Sequence, residues 1–260
     1  MKAPLAAFAA AFLATAVLPP PLSGAEQRAV YRASGADVRL FDQYDNDGYT
    51  LEVRTAADGS ARLEVRVSDG PLESAAPFPT RGRRDASILP APERDSFAGS
   101  LAAGSGTEQE AVLRILRGIA AEVRYDPDRL RLQDPAAVFA SRRAYCVGFA
   151  ELAVDLLRRA GIFARTVQGV LRTDPGADRY EASIGGVYHR WIEVFYPDRG
   201  YVFSDPMRSV NGVDASYIPF GKRALSRPKD LRLTPISLEG ALRYDSVQAG
   251  EKTLHIRAAN

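Results

Sequence analysis

The single cysteine of this 260-residue chain, Cys146, opens an amphipathic run, and the residues after it limit the folds that could contain it. Phe149, Ala153, Leu156, Leu157 and Ala160 recur at helical spacing, Asp155 and Arg159 stand at i and i+4, and Gly161 supplies a stop. Two strand-like runs come next, Ile162–Leu171 and Val187–Tyr196, and in the second His189 shares a face with Val187, Trp191, Glu193 and Phe195. Pro197-Asp198-Arg199-Gly200 then turns the chain into Tyr201-Val202-Phe203, with Asp205 beyond. This order predicts an α+β fold, in which a helical lobe carrying Cys146 packs against an antiparallel sheet carrying His189 and Asp205.

The same order suits acyl transfer. A thiol is a good nucleophile only as thiolate, and the unpaired N–H groups at a helix N-terminus favour that form. A histidine can carry the proton, and a carboxylate can fix the imidazole tautomer. Each residue alone has a blander reading, Cys146 as a small buried hydrophobe and His189 as a hydrogen-bonded core histidine. Geometry adds a constraint. His189 and Asp205 reach one face only if paired positions in the hairpin sum to an even number. Tyr196 paired with Tyr201 would give an odd sum, so an odd-length loop with Gly200 left-handed, or a bulge before Asp205, is expected.

Three blocks resemble the transglutaminase-like superfamily, which shares the papain-like cysteine-enzyme architecture. The first is Arg142-Arg143-Ala144-Tyr145-Cys146-Val147-Gly148-Phe149 with its continuation through Leu156-Leu157-Arg158, Gly161-Ile162, Ala164-Arg165, Val167 and Gly169. The second is Tyr188-His189-Arg190-Trp191-Ile192-Glu193-Val194, and the third is Phe203-Ser204-Asp205-Pro206. Together they span roughly residues 107 to 210, and the combination is more specific than any one block. The resemblance implies a papain-like/transglutaminase-like core, with Cys146 as nucleophile, His189 as general base and acid, and Asp205 as orienting carboxylate. Ala144, Tyr145 and Arg190 depart from the family pattern. They place bulkier or charged groups where the family often has glycine or a small residue.

The rest of the chain bounds the setting. Lys2, the apolar stretch Leu5–Val17, Pro19-Pro20-Pro21 and the small residues Ser23-Gly24-Ala25 read as a cleaved signal peptide over residues 1–25, with Glu26 as first mature residue. An uncleaved anchor is the alternative, but the apolar core is shorter than the ~20 residues that span a bilayer. The expected location is therefore exported, bacterial periplasm or extracellular, without stable membrane insertion. Without the leader, 33 basic residues face 32 acidic ones, a balance that gives no reason to expect nucleic-acid binding. Cys146 has no partner for an internal disulfide, and a lone thiol in an exported protein favours catalysis over a framework role.

Residues 26–70 read as a small N-terminal β unit. Tyr49–Arg54 and Arg62–Val67 alternate around the hairpin signal Asp58-Gly59, and an earlier strand is expected over Asp37–Phe41. Asp42, Asp45, Asn46, Asp47 and Gly48 suggest a calcium loop, but in that register Gln43 and Arg54 take the first and last ligand positions, so an acidic turn is the better reading. Residues 71–106, rich in Pro, Gly, Ser and Ala, read as a linker or surface segment. Their basic cluster Arg81, Arg83 and Arg84 is a solvated loop or a substrate contact, and a lid or propeptide is a further alternative.

A transglutaminase-like catalytic domain is expected over 107–260. It opens on the capping-box pair Thr107 and Glu110 and the stripe Val112, Leu113, Leu116, Ile119 and Val123, and a second helix starts at Asp134-Pro135. Leu231-Arg232-Leu233 in the tail should complete or cover the sheet, and Lys252–Ile256, holding His255, is strand-like. Two histidines and one cysteine leave little for a zinc site, no phosphate-binding glycine loop is present, and no metal or cofactor is expected. The function expected is a cysteine hydrolase or acyltransferase acting on a peptide or protein substrate, a cell-envelope peptide among the candidates. Hydrolysis is favoured slightly over transamidation, and the contrasting class is a non-catalytic binding module on the same fold.

Overall fold

The structure, a computed structural model, describes residues 26–68, 72–78, 87–172, 185–222, 224, 228–240 and, for the backbone, 257–258. The leader, Arg81, Arg83, Arg84 and His255 lie outside the described residues.

Thirteen strands and four α-helices are described. The strands are β1 (Gln27–Ser34), β2 (Tyr44–Asn46), β3 (Tyr49–Thr55), β4 (Ala61–Val67), β5 (Arg124–Tyr125), β6 (Arg143–Ala144), β7 (Ala164–Leu171), β8 (Val187–Tyr196), β9 (Gly200–Ser204), β10 (Ser209–Val210), β11 (Tyr217–Pro219), β12 (Arg232–Glu239) and β13 (Arg257–Ala258). The helices are α1 (Pro92–Ala102), α2 (Glu108–Glu122), α3 (Pro135–Ser141) and α4 (Cys146–Arg159).

The fold is α+β in three layers. The middle layer is an antiparallel sheet in the order β11-β7-β8-β9. On one face, Ile192, Val194, Tyr196 and Val202 share a core with Ile115, Leu116 and Ile119 of α2 and with Phe149, Leu152, Leu156 and Leu157 of α4. The opposite face, through Val167, Trp191, Phe203 and Ile218, packs on Tyr31, Tyr49, Leu51 and Leu63 of the second sheet. That sheet has five strands in the order β12-β1-β4-β3-β2, all antiparallel neighbours. Each fully buried Leu, Ile or Phe in these layers contributes about 1.5–3 kcal/mol relative to exposure, so α4 is held by its buried stripe more than by propensity.

Local signals explain the element ends. Thr107 Oγ1 accepts from Glu110 N at 3.2 Å, while Glu110 Oε2 reaches back to Gly106 N at 2.8 Å, a capping box displaced by one residue. Asp134 caps α3 by accepting from Ala136 N and Ala137 N, with Pro135 at the first helical position. Asp155 and Arg159 form the expected ion pair at 2.8 Å. Asp47-Gly48 makes the two-residue turn between β2 and β3, so the acidic run is a hairpin tip. Among the described residues, no group of three or more His, Cys, Asp or Glu side chains is arranged to hold a metal ion.

Two expectations change. Asp37–Phe41 is not a strand: the Asp37 carboxylate accepts from Arg39 N and caps a single 3-10 turn, Val38–Leu40, and the first strand is the earlier β1. Residues 71–106, read as a linker or surface segment, contain a helix, α1, whose buried positions are the small Ala98 and Ala102 and whose stripe is correspondingly faint. The five-stranded sheet also takes its edge strand, β12, from far down the chain.

Candidate active site

Cys146 is the first residue of α4. Its N-cap, Tyr145, has no capping side-chain bond, and a remote residue supplies one. Gln133 Oε1 accepts from Tyr145 N and Gly148 N, both at 3.1 Å, and its Nε2 donates to Arg131 O at 3.2 Å. A Cβ at Gly148 would stand 2.5 Å from Gln133 Oε1, so glycine there is what admits the amide. The N–H groups of Cys146 and Val147 are left in the first turn, where a developing oxyanion would find positive charge.

His189 lies in β8 and Asp205 comes directly after the last residue of β9. Tyr196 pairs with Gly200 and Ile192 with Ser204, an even register reached by a three-residue loop and a left-handed Gly200 at φ 81°. β9 stops at Ser204, so among the described residues the β8 edge before Ile192 has no strand partner on that side. Cys146 lies at this gap, near enough to the His189 ring and the Arg190 N–H for both to act on its thiol. Asp205 turns inward, with Asp205 N donating to Ser209 O and Met207 N donating to Asp205 Oδ1 at 2.9 Å.

His189 Nε2 stands 2.7 Å from Asp205 Oδ2. An ionised carboxylate only accepts, so Nε2 carries the hydrogen and Nδ1 is left for the thiol. The second donor to Oδ2 is the Tyr217 hydroxyl, also at 2.7 Å. Around this line the His189 ring stacks on Trp191 at 6.1 Å between centroids and meets the edge of Tyr217 at 6.0 Å.

Electrostatics and burial oppose one another here. Burial alone would raise the Cys146 thiol, but the hydrogen bond and charge of His189, with the Arg190 N–H, bring it below its ordinary value. Burial alone would lower His189, but the Asp205 carboxylate and the thiol raise it to about 10. Burial would likewise raise Asp205, and His189, Tyr217 and Met207 N hold it below the usual carboxylate range. These shifts all act in one direction, toward thiolate on Cys146, a protonated ring on His189 and an ionised Asp205.

All three candidate residues from the sequence are thus in one place. Tyr217 and Gln133 are additions that spacing could not indicate: Tyr217 lies in a three-residue strand, and Gln133 reaches α4 only through the folded loop before α3. Arg190, which departs from the family pattern, pairs with Glu151 of α4 at 2.7 Å and so clasps the helix to β8.

Residues 95–206 match the model of the transglutaminase-like superfamily. This segment, which holds α4 with Cys146, the strand with His189, and Asp205, is similar to that superfamily. The uncharacterized protein YebA of Bacillus subtilis (strain 168) is 32% identical over 77 residues, which are 27% of this chain and 10% of that protein's length. A solved structure described as a candidate cysteine protease from Cytophaga hutchinsonii is similar over 88% of this chain and 94% of its own, with a TM-score of 0.46 and 14% identity. The periplasmic domain of TgpA from Pseudomonas aeruginosa is similar over 71% of this chain and 70% of its own, with a TM-score of 0.39 and 21% identity.

Proposed function

We propose that this protein is an exported cysteine hydrolase that opens a peptide or amide bond through a thioester on Cys146. The observation that carries this reading is the line Cys146, His189, Asp205, with Nε2 at 2.7 Å from Oδ2 and the thiol beside the same ring. The Cys146 thiolate attacks the carbonyl carbon, and the oxyanion is received at the helix N-terminus by the Cys146 N–H. The carbon–nitrogen bond then breaks, and His189 gives its proton to the departing amine. Water attacks the thioester, His189 accepts its proton, and the acid leaves as Cys146 is regenerated. Water is the acceptor in this reading because transamidation needs an amine site that excludes it.

Export is supported by the leader pattern Lys2, Leu5–Val17 and Ser23-Gly24-Ala25. Among the described residues no helix is long and apolar enough to cross a membrane.

The test is turnover of a peptide library with and without an added amine. Cys146→Ala should abolish acyl release and His189→Ala should be nearly as severe, because the two act as one unit. Retained turnover in Cys146→Ala would sink the thiol mechanism. A wild-type protein that binds peptides and turns over none would favour the binding module, and products carrying the added amine would replace hydrolysis by transamidation.

A further inference from the structure

We propose that Tyr217 is a positioning residue for the Asp205 carboxylate and that the five-stranded sheet is the support that places it. This rests on the reading of Cys146, His189 and Asp205 as one catalytic unit.

Tyr217 donates to Asp205 Oδ2, the same oxygen that receives His189 Nε2. A carboxylate rotates freely about its last side-chain bond unless several donors fix it. Here the imidazole and the phenol hold one oxygen and Met207 N holds the other. Without the phenol, the oxygen facing His189 would be held only by the ring it is supposed to orient. Tyr217 is itself locked by Trp191, whose ring meets it edge to face at 5.3 Å.

The stretch that carries Tyr217 is fastened from behind. Tyr31 donates to Ala215 O at 2.8 Å, Tyr49 to Tyr217 O at 2.6 Å, and Tyr44 to Phe220 O at 2.9 Å. These phenols come from β1, β3 and β2, all are buried, and all end on one six-residue segment. A sheet needed only for apolar cover would be served by phenylalanine, since a buried hydroxyl is costly unless it is partnered. Three hydroxyls partnered to carbonyls of the Tyr217 segment fix its height and register against the middle sheet. Arg208 and Asp214 add charge near Tyr217 but do not carry the contact to Asp205.

The experiment is the pH dependence of Cys146 alkylation by iodoacetamide, which needs no substrate, on folded wild type, Tyr217→Phe, Tyr49→Phe and Tyr196→Phe. Tyr196 is the control, a buried phenol bonded to Asn211 at 2.5 Å outside the line to Asp205. Tyr217→Phe should raise the midpoint by about one pH unit, or about tenfold less thiolate below both midpoints. Tyr49→Phe should move it less in the same direction, and Tyr196→Phe should leave it unmoved. If Tyr217→Phe does not fold, Tyr49→Phe decides. A depressed wild-type midpoint retained in Tyr217→Phe would overturn this proposal alone. A lowered midpoint would overturn it as well, because the hydroxyl would then only be draining charge from a carboxylate that stays in place. A wild-type thiol with an ordinary midpoint near ~8.5 would sink the catalytic reading and this one together.

Discussion

Tyr196 pairs with Gly200 across a three-residue loop, and that single register puts His189 and Asp205 on one face of the hairpin. Inserting one alanine between Asp198 and Arg199 should shift the pairing sum to odd and turn Asp205 away from His189. The expected result is a Cys146 that alkylates as an ordinary thiol in a protein that still melts cooperatively. Gly200→Ala should be mild by comparison, because a Cβ there meets nothing within 4 Å and only the left-handed backbone is strained. A loss of about 1 kcal/mol in urea unfolding, with thiol reactivity kept, is expected.

Asp205→Asn keeps the shape and removes the charge. The imidazolium loses its main support, so His189 should titrate well below about 10. Turnover should fall, but less than in Cys146→Ala, because thiol and imidazole still meet. Steady-state rates together with the His189 ring proton shift across pH would check both halves, and an unshifted His189 would contradict the electrostatic assignment.

The raised His189 value also sets an alkaline limit. Its folded value, about 10, lies above the ordinary 6.5. The linked stability is therefore fully present below 6.5 and is lost as pH rises through about 10. Acyl release should decline over the same upper range, since deprotonated His189 cannot protonate the leaving amine. Asp205 has the opposite sign, with a depressed folded value whose stabilisation is lost on acidification. Urea midpoints measured from neutral pH upward in wild type and His189→Ala should converge at the alkaline end.

Gln133→Ala leaves the Tyr145 and Gly148 N–H groups without their acceptor, which costs about 1–3 kcal/mol for groups that stay buried. Gly148→Ala should destabilise for the converse reason, since its methyl would meet Gln133 Oε1 at 2.5 Å. The double variant should lose less than the sum, because the new methyl occupies part of the space the amide vacates. Urea unfolding of the four proteins gives the coupling, and strict additivity would rule out the shared contact.

What was legible in the sequence was mostly local. Thr107, Asp134 and the Asp58-Gly59 tip announce their caps and turn through side chains acting within three or four residues, and the parity of His189 and Asp205 requires the odd-length loop seen before Gly200. β1 carries a weak strand signal because Ala29, Val30 and Tyr31 are all buried in succession, which erases the alternation of a one-sided strand. α1 carries a faint helical stripe because its buried residues are alanines. Tyr217 lies twelve positions from Asp205, in a segment whose height is set by phenols from another sheet. No short-range pattern encodes such a contact.

β12 closes the five-stranded sheet by pairing Arg28 with Glu239, so an early strand waits for a very late one. Until residues 232–239 have emerged, β1 has a bare hydrogen-bonding edge, and the sheet behind Tyr217 is unfinished. Such long-range closure slows folding. Pro235 and the register shift at Val30/Tyr31 then spoil β12 as a template for further strands. The last strand of this sheet to arrive is thus also one of its two edges, which ties the order of synthesis to protection against aggregation.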